Sequence, residues 1–223
     1  MSVRLNKYIA QSTRLSRRSA DSAIEDGRVL VNGQHPQAGQ QVQETDQVTL
    51  DGKVLTPATT MQTILLNKPV GYIVSRTGQG GRTIYDLLPA EVRHLKPVGR
   101  LDKNSSGLLL LTNDGDLAAE LTHPKFQKIK IYNVRLHKPL APLHRQMISD
   151  FGISLEDGLS KLELERLQDG DELNWIVTMH EGRNRQIRRT FESLGYEVKR
   201  LHRTHFGTYN LPGDLAPGKY ISL

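Results

Sequence analysis

Leu5, Tyr8 and Ile9 recur at helical spacing, and Ser16 stands where an N-cap would open a second helix carrying Ala20, Ala23 and Ile24 before Gly27 stops it. The pattern predicts a short helical hairpin. Beyond it, Val29-Leu30-Val31, Val42, Val48 to Leu50 and Val54-Leu55 are brief apolar runs punctuated by the turn pairs Asn32-Gly33 and Asp51-Gly52, which predicts small strands joined by tight turns. Thr56-Pro57-Ala58-Thr59-Thr60 reads as a linker. The chain therefore divides into a small domain over residues 1–60 and a larger one over 61–223.

From Gln62 onward the strands lengthen. Thr63 to Leu66, Gly71 to Ser75, Gly107 to Thr112, Ile129 to His137 and Leu173 to Met179 are predicted strands. In the last of these, Leu173, Trp175, Val177 and Met179 recur at period two, the signature of a half-buried strand. Leu108 to Leu111 are uninterrupted leucines, a strand buried on both faces. Helices are sparse, near Leu117 to Leu121, Leu143 to Asp150 and Arg185 to Leu194. This mixture predicts an α+β fold with a mixed, mainly antiparallel sheet. Gly78-Gln79-Gly80-Gly81 lacks dinucleotide-binding spacing and reads as a flexible loop able to touch a ligand.

At 223 residues the chain is long enough for a sizeable core without a metal or disulfide. It has no cysteine, which excludes thiolate catalysis, disulfide frameworks and iron–sulfur clusters. No histidine spacing suits a metal; His202 and His205 are expected to face solvent or RNA. The leucine tetrad is far too short to span a membrane and the first ten residues lack an apolar signal core, so a soluble, cytoplasmic and monomeric protein without cofactor or metal is expected. Lysine and arginine total 30 against 24 acids, a net charge of +6 that favours a polyanionic partner.

The charge is not evenly spread. The first 60 residues hold seven cations against six acids, yet Arg4, Lys7, Arg14, Arg17 and Arg18 all precede the first acid, Asp21. Together with Gly27-Arg28-Val29-Leu30-Val31-Asn32-Gly33, this stretch, from about Val3 to Asp51, resembles the alpha-L RNA-binding domain. The resemblance implies an RNA-binding role for these cations and for Arg28.

Gly99-Arg100-Leu101-Asp102-Lys103-Asn104-Ser105-Ser106-Gly107 leads into the leucine strand, and Asn113-Asp114-Gly115 closes it. Asp102 thus lies on a loop feeding directly into the core, a rigid place from which to present a carboxylate. Arg-Leu-Asp followed by Ser-Gly-Leu-Leu-Leu-Leu-Thr-Asn-Asp-Gly resembles the nucleophile motif of pseudouridine synthases, specifically the ribosomal-RNA branch with an N-terminal alpha-L domain. Four further segments fit that family in order: Leu66-Asn67-Lys68-Pro69-x-Gly71-Tyr72, His123-Pro124-Lys125-Phe126, Lys130-Ile131-Tyr132-x-Val134 and Glu181 to Arg189. Asn104 and Ser105 stand where an acid and a threonine are common in the family.

The resemblance implies cofactor-free isomerisation of a uridine within ribosomal RNA, with Asp102 acting on the ribose. Attack on the anomeric carbon and removal of the 2′ proton both remain open. It also implies that Tyr132 stacks on the target base. Arg188 borders the apolar stripe of Ile187, Phe191 and Leu194, which predicts that it turns inward to pair with Asp102, while Arg185 and Arg189 on the opposite side reach phosphates. From Glu181 to Arg203 there are seven cations against three acids, and Arg100, Lys103, Lys130, Arg183, Arg185, Arg189 and Arg203 join the expected RNA-binding set. Gly81 to Pro89 and Leu211 to Gly218 look more like the large-subunit branch than the small-subunit one. The competing readings are a small-subunit enzyme, a non-enzymatic ribosome-assembly factor and a hydrolytic N-glycosidase.

Overall fold

A computed structural model of the chain describes residues 2–13, 15–56 and 60–223. It comprises two compact units, Met1–Met61 and Gln62–Leu223.

In the first unit, helix α1 (Leu5–Ser12) packs on helix α2 (Arg17–Glu25), and Leu5, Ile9, Ala20 and Ala23 meet Val29, Val31, Val42 and Val48 in one small core. Ser16 caps α2 as predicted, its hydroxyl accepting from the Ser19 amide at 3.0 Å. Strands β1 (Val29–Val31), β2 (Val48–Leu50) and β3 (Lys53–Val54) form an antiparallel sheet, with the β2–β3 turn made by Asp51 and Gly52 at φ 50° and 75°. The linker residues 57–59 and Arg14 lie outside the described residues.

The second unit is built on one mixed sheet. Its main strands are β4 (Thr63–Lys68), β5 (Ser106–Thr112), β6 (Lys130–Leu136), β7 (Glu163–Arg166), β8 (Asn174–Met179), β9 (Val198–Phe206) and β10 (Tyr220–Ser222), in spatial order β7-β8-β6-β9-β5-β4-β10. Neighbours on this path are antiparallel except β9 and β5, which run parallel. Helix α3 (Gly115–Thr122), capped by Asp114, and helix α4 (Pro142–Gln146) precede helix α5 (Gln186–Glu192).

The leucine strand is buried on both faces. Leu109 and Leu111 join the larger core with Ile64, Leu66, Trp175 and Phe191, whereas Leu108 and Leu110 join the opposite one with Leu65, Val98, Leu121 and Phe206. Each of the four leucines contributes about 2 kcal/mol by leaving water.

Three sequence expectations are corrected. Gly71 to Ser75 is not a strand: Gly71 turns at φ 91°, and Ile73 makes only an isolated bridge to Thr83. The Gly78–Gly80 run closes a 3-10 turn, with the Gly81 amide donating to the Gly78 carbonyl at 2.7 Å. A Cβ on Gly81 would lie 2.8 Å from Ile73 Cδ1, so the glycine serves packing there. The longest strand, β9, stands where periodicity predicts none, since Lys199, Arg200, His202 and Thr204 interrupt its apolar positions.

Candidate active site

The parallel junction at the middle of the sheet brings the site together. Gly107 at the start of β5 is in register with Arg203 of β9, and Arg203 is in register with Tyr132 of β6. The approach of β5 to β9 requires glycine: Gly107 has φ 102°, and a Cβ there would lie 2.2 Å from the Arg203 carbonyl oxygen. The loop carrying Asp102 feeds into this junction.

That loop is tied down through its backbone. The Asp102 carbonyl accepts from the Ser105 amide at 3.0 Å and from Lys68 Nζ at 3.1 Å. The Lys103 carbonyl accepts from the Gly71 amide at 2.8 Å, and the Asn104 carbonyl accepts from Arg188 Nη2 at 2.9 Å. The Ser105 carbonyl accepts from Lys68 Nζ at 2.7 Å. Every carbonyl from Asp102 to Ser105 therefore has a donor, which fixes the loop that bears the Asp102 side chain.

Lys68, fully buried at the end of β4, was not singled out from sequence as a site residue. Burial pushes its ammonium down to about 8, and the nearby Asp102 opposes that shift. Its place in the Leu66-Asn67-Lys68-Pro69-x-Gly71-Tyr72 segment was the available signal.

Arg188 and Arg185 both depart from the roles predicted for them. The Arg188 guanidinium, 7% exposed, donates to the Val198 carbonyl at 2.7 Å as well as to Asn104, so both of its terminal nitrogens are engaged by backbone. It grips the Asp102 loop by its main chain and makes no direct contact with the carboxylate. Burial, followed by the charge of Arg185, lowers its pKa, while Asp102 works against that. Arg185 instead caps α5 in the left-handed region, φ 47° and ψ 29°, and its Nη1 lies 3.8 Å from Asp102 Oδ2 and its Nη2 3.6 Å from Glu192 Oε1. Periodicity missed this because the left-handed cap breaks the helical screw between Arg185 and the residues that follow.

A cavity of about 460 Å³ receives Asp102 and Arg185 but neither Lys68 nor Arg188. Asp102, Arg185 and Lys130 supply charge, Tyr132 a 7%-exposed ring, and Leu101, Met179, Ile187 and Leu201 apolar wall. The Asp102 side chain is 33% exposed. Lys130, whose ammonium donates to the Lys128 carbonyl at 3.0 Å, has its pKa lowered by burial and then by Arg203, with Glu181 opposing. An aromatic ring, a carboxylate and fixed cations around one concave space suit a planar base on a sugar-phosphate strand.

The other predicted cations divide sharply. Arg203 is only 2% exposed: its Nε donates to the Leu108 carbonyl at 2.8 Å and its guanidinium lies 4.7 Å from the Phe206 ring centroid. It is part of the sheet, not of a surface, because β9 runs through the middle of the sheet. Asp157, unnoticed in the sequence, takes Arg183 at 2.9 Å and Arg189 at 2.6 Å, which lowers its own pKa through the Arg189 hydrogen bond first. Arg100 and Lys103 are exposed beside Asp102. In the first unit Arg4, Arg17 and Arg18 are exposed and Lys7 is half-buried, while Arg28 is paired with Asp51 at 2.6 Å. Among the described residues no three metal-ligating side chains cluster, and no helix is long and apolar enough to cross a membrane.

Comparison with known proteins places this geometry. Residues 62–193 match the family described as RNA pseudouridylate synthase, and residues 3–48 match the S4 domain. A ribosomal large subunit pseudouridine synthase B of Xanthomonas campestris is 39% identical, with 99% of this chain aligned to 47% of that protein. An uncharacterized RNA pseudouridine synthase of Aquifex aeolicus is 38% identical over 100% of this chain and 91% of its own length. A dual-specificity RNA pseudouridine synthase of Escherichia coli O157:H7 is 40% identical, over 95% and 72% respectively. The chain thus spans about half the length of the Xanthomonas relative and nearly all of the Aquifex one. A crystal structure of a pseudouridylate synthase superposes with a TM-score of 0.71 at 33% identity, covering 99% of this chain and 96% of that one. The chain is therefore a member of the RNA pseudouridylate synthase family.

Proposed function

We propose that the unit Gln62–Leu223 isomerises a uridine of large-subunit ribosomal RNA to pseudouridine, and that the unit Met1–Met61 contributes RNA affinity. The observation that carries this reading is the Asp102 carboxylate, presented by a loop with every carbonyl tied, in the same cavity as the Tyr132 ring. The relatives named for the large ribosomal subunit support the choice of RNA.

The reaction breaks the bond between uracil nitrogen 1 and the anomeric carbon, forms one from carbon 5 to that carbon, and moves the carbon 5 proton to solvent while nitrogen 1 regains one. Breaking the glycosidic bond builds positive character on the sugar, which Asp102 meets by covalent capture or by taking the 2′ proton. The uracil departs as a delocalised anion, so no second carboxylic acid is needed. Arg185 lies beside the carboxylate at the cavity wall, and Lys68 and Arg188 hold the loop that bears it. Tyr132 supplies the stacking surface against which the detached base turns.

Asp102→Asn keeps the side-chain volume and removes the charge. It is expected to abolish pseudouridine formation, read by tritium release from carbon 5 and by mapping the product on purified, unmodified ribosomal RNAs, while RNA binding stays within a few fold. Full activity in the variant would end the assignment of Asp102. Release of free uracil by the wild type would identify a hydrolase, and modification confined to small-subunit or transfer RNA would overturn the substrate.

A further inference from the structure

The segment His123-Pro124-Lys125-Phe126 plays no part in the chemistry above, yet its chain runs directly into the cavity wall. Phe126 is 44% exposed and belongs to neither core of its unit. Its ring is surrounded by charge: Lys125 Nζ lies 4.6 Å and Lys128 Nζ 5.9 Å from the ring centroid, and the His123 ring meets it edge-on at 6.2 Å. The next residue, Gln127, sits in the left-handed region at φ 42° and lines the cavity with His123, Lys128 and Lys130. That turn carries the chain from the exposed ring straight back to the wall shared with Asp102. Lys128 is anchored to Glu120 at 2.7 Å, and its carbonyl accepts from Lys130, so the platform and the cavity are joined through one hydrogen-bonded stretch.

An exposed aromatic ring gains nothing from water, and ammonium groups over its face are the arrangement found where bases stack and phosphates pass alongside. A peptide or lipid partner would call for a broad apolar surface, whereas here two ammonium groups stand over the ring. We infer that Phe126, with Lys125 and Lys128, is a stacking platform for an unpaired RNA base adjacent to the nucleotide held in the Asp102 cavity. The inference rests on the RNA-directed reading above and adds a second base-binding position that selects strands with unstacked neighbours. A base in a continuous duplex keeps its own stacking partners and cannot use the ring.

The test reads binding, not turnover. Phe126→Trp introduces an exposed indole, and the single natural tryptophan, Trp175, is 1% exposed, so its emission is a constant background shielded from contact with the strand. Added oligouridylate should quench the new fluorescence, whereas an abasic ribose-phosphate strand of the same length, or a blunt RNA duplex, should quench it far less. Phe126→Ala should bind oligouridylate about tenfold more weakly than the wild type, with Phe126→Leu close to Phe126→Ala. Lys125→Ala should lower the slope of log affinity against log salt by about 0.7. Equal quenching by the abasic strand, equal quenching by the duplex, or wild-type affinity in Phe126→Leu would each overturn the platform. Quenching by oligouridylate in a protein that forms no pseudouridine would leave the platform standing and remove the isomerase reading, so the two can fail separately.

Discussion

The cations of the N-terminal helical hairpin and those of the Glu181–Arg203 segment look alike in a charge count and stand in opposite situations. On the hairpin, Arg4, Arg17 and Arg18 are exposed. In the second segment, Arg188 holds two backbone carbonyls, Arg203 is buried against Phe206, and Arg183 and Arg189 are taken by Asp157. One set is available to a polyanion and the other is mostly internal wiring that shapes the Asp102 cavity. Excess charge in a sequence marks where cations are, and only their partners reveal whether they bind RNA or protein.

This contrast can be broken most directly at the wiring. Arg203→Ala leaves the Leu108 carbonyl unpaired and a void beside Phe206, and is expected to cost on the order of 3 kcal/mol in chemical denaturation; Arg203→Met, which keeps the volume, should lose less. A variant as stable as the wild type but weak in RNA binding would place Arg203 with the surface cations.

Lys68→Met removes the donor shared by the Asp102 and Ser105 carbonyls and should lower activity roughly a hundredfold through misplacement of the carboxylate. The same variant sharpens a pH effect. In the folded protein Lys68 gives up its proton near 8, whereas the unfolded chain holds it to 10.5, so the unfolded state binds more protons between those values and stability rises with pH across that window. Denaturation midpoints compared from pH 8 to 10 should show this rise in the wild type and lose Lys68's share of it in Lys68→Met; identical pH profiles would refute it.

Asp157→Asn would convert wiring into surface. With Arg183 and Arg189 released, the slope of log affinity against log salt should steepen by up to about 0.7 to 0.9 for each phosphate gained, with affinity at low salt improving a few fold. An unchanged slope would mean that these arginines do not reach RNA even when unpaired. The smallest effect is expected on the hairpin itself: Arg17→Ala or Arg18→Ala should weaken RNA binding two- to fivefold, flatten the slope by about one phosphate and leave the denaturation midpoint unmoved. A large loss of stability there would erase the distinction between the two regions.

Much of the fold was legible because apolar periodicity is a local property. The hairpin with its Ser16 cap, the doubly buried leucine strand and the alternation at Trp175, Val177 and Met179 were each written in a few adjacent residues. Asp102 and Tyr132 were legible through family motifs, and they do line one cavity. What escaped was decided by distant partners. Strand β9 carries polar residues whose burial depends on strands from elsewhere in the chain, and the Arg188 side chain was expected on a carboxylate but found carbonyls of Asn104 and Val198. Asp157 has no local signature beyond being a turn aspartate, and Lys68, although it stands in the Leu66-Asn67-Lys68-Pro69 segment, carries no local sign of the carbonyls it holds. Their roles follow from what packs against them.

The place of β9 in the sheet has a consequence for how the protein is made. It inserts between β5, which follows the Asp102 loop, and β6, which bears Tyr132, and its bond to Leu108 spans 95 residues of chain. Closing so long a loop is among the slower events in folding. A nascent chain that has emerged only as far as α5 holds both Asp102 and Tyr132 but has no strand to join them. Without Val198–Phe206 the chain also lacks Leu201, Arg203 and Phe206, which line the cavity, so the space around Asp102 is closed only once this strand has taken its place.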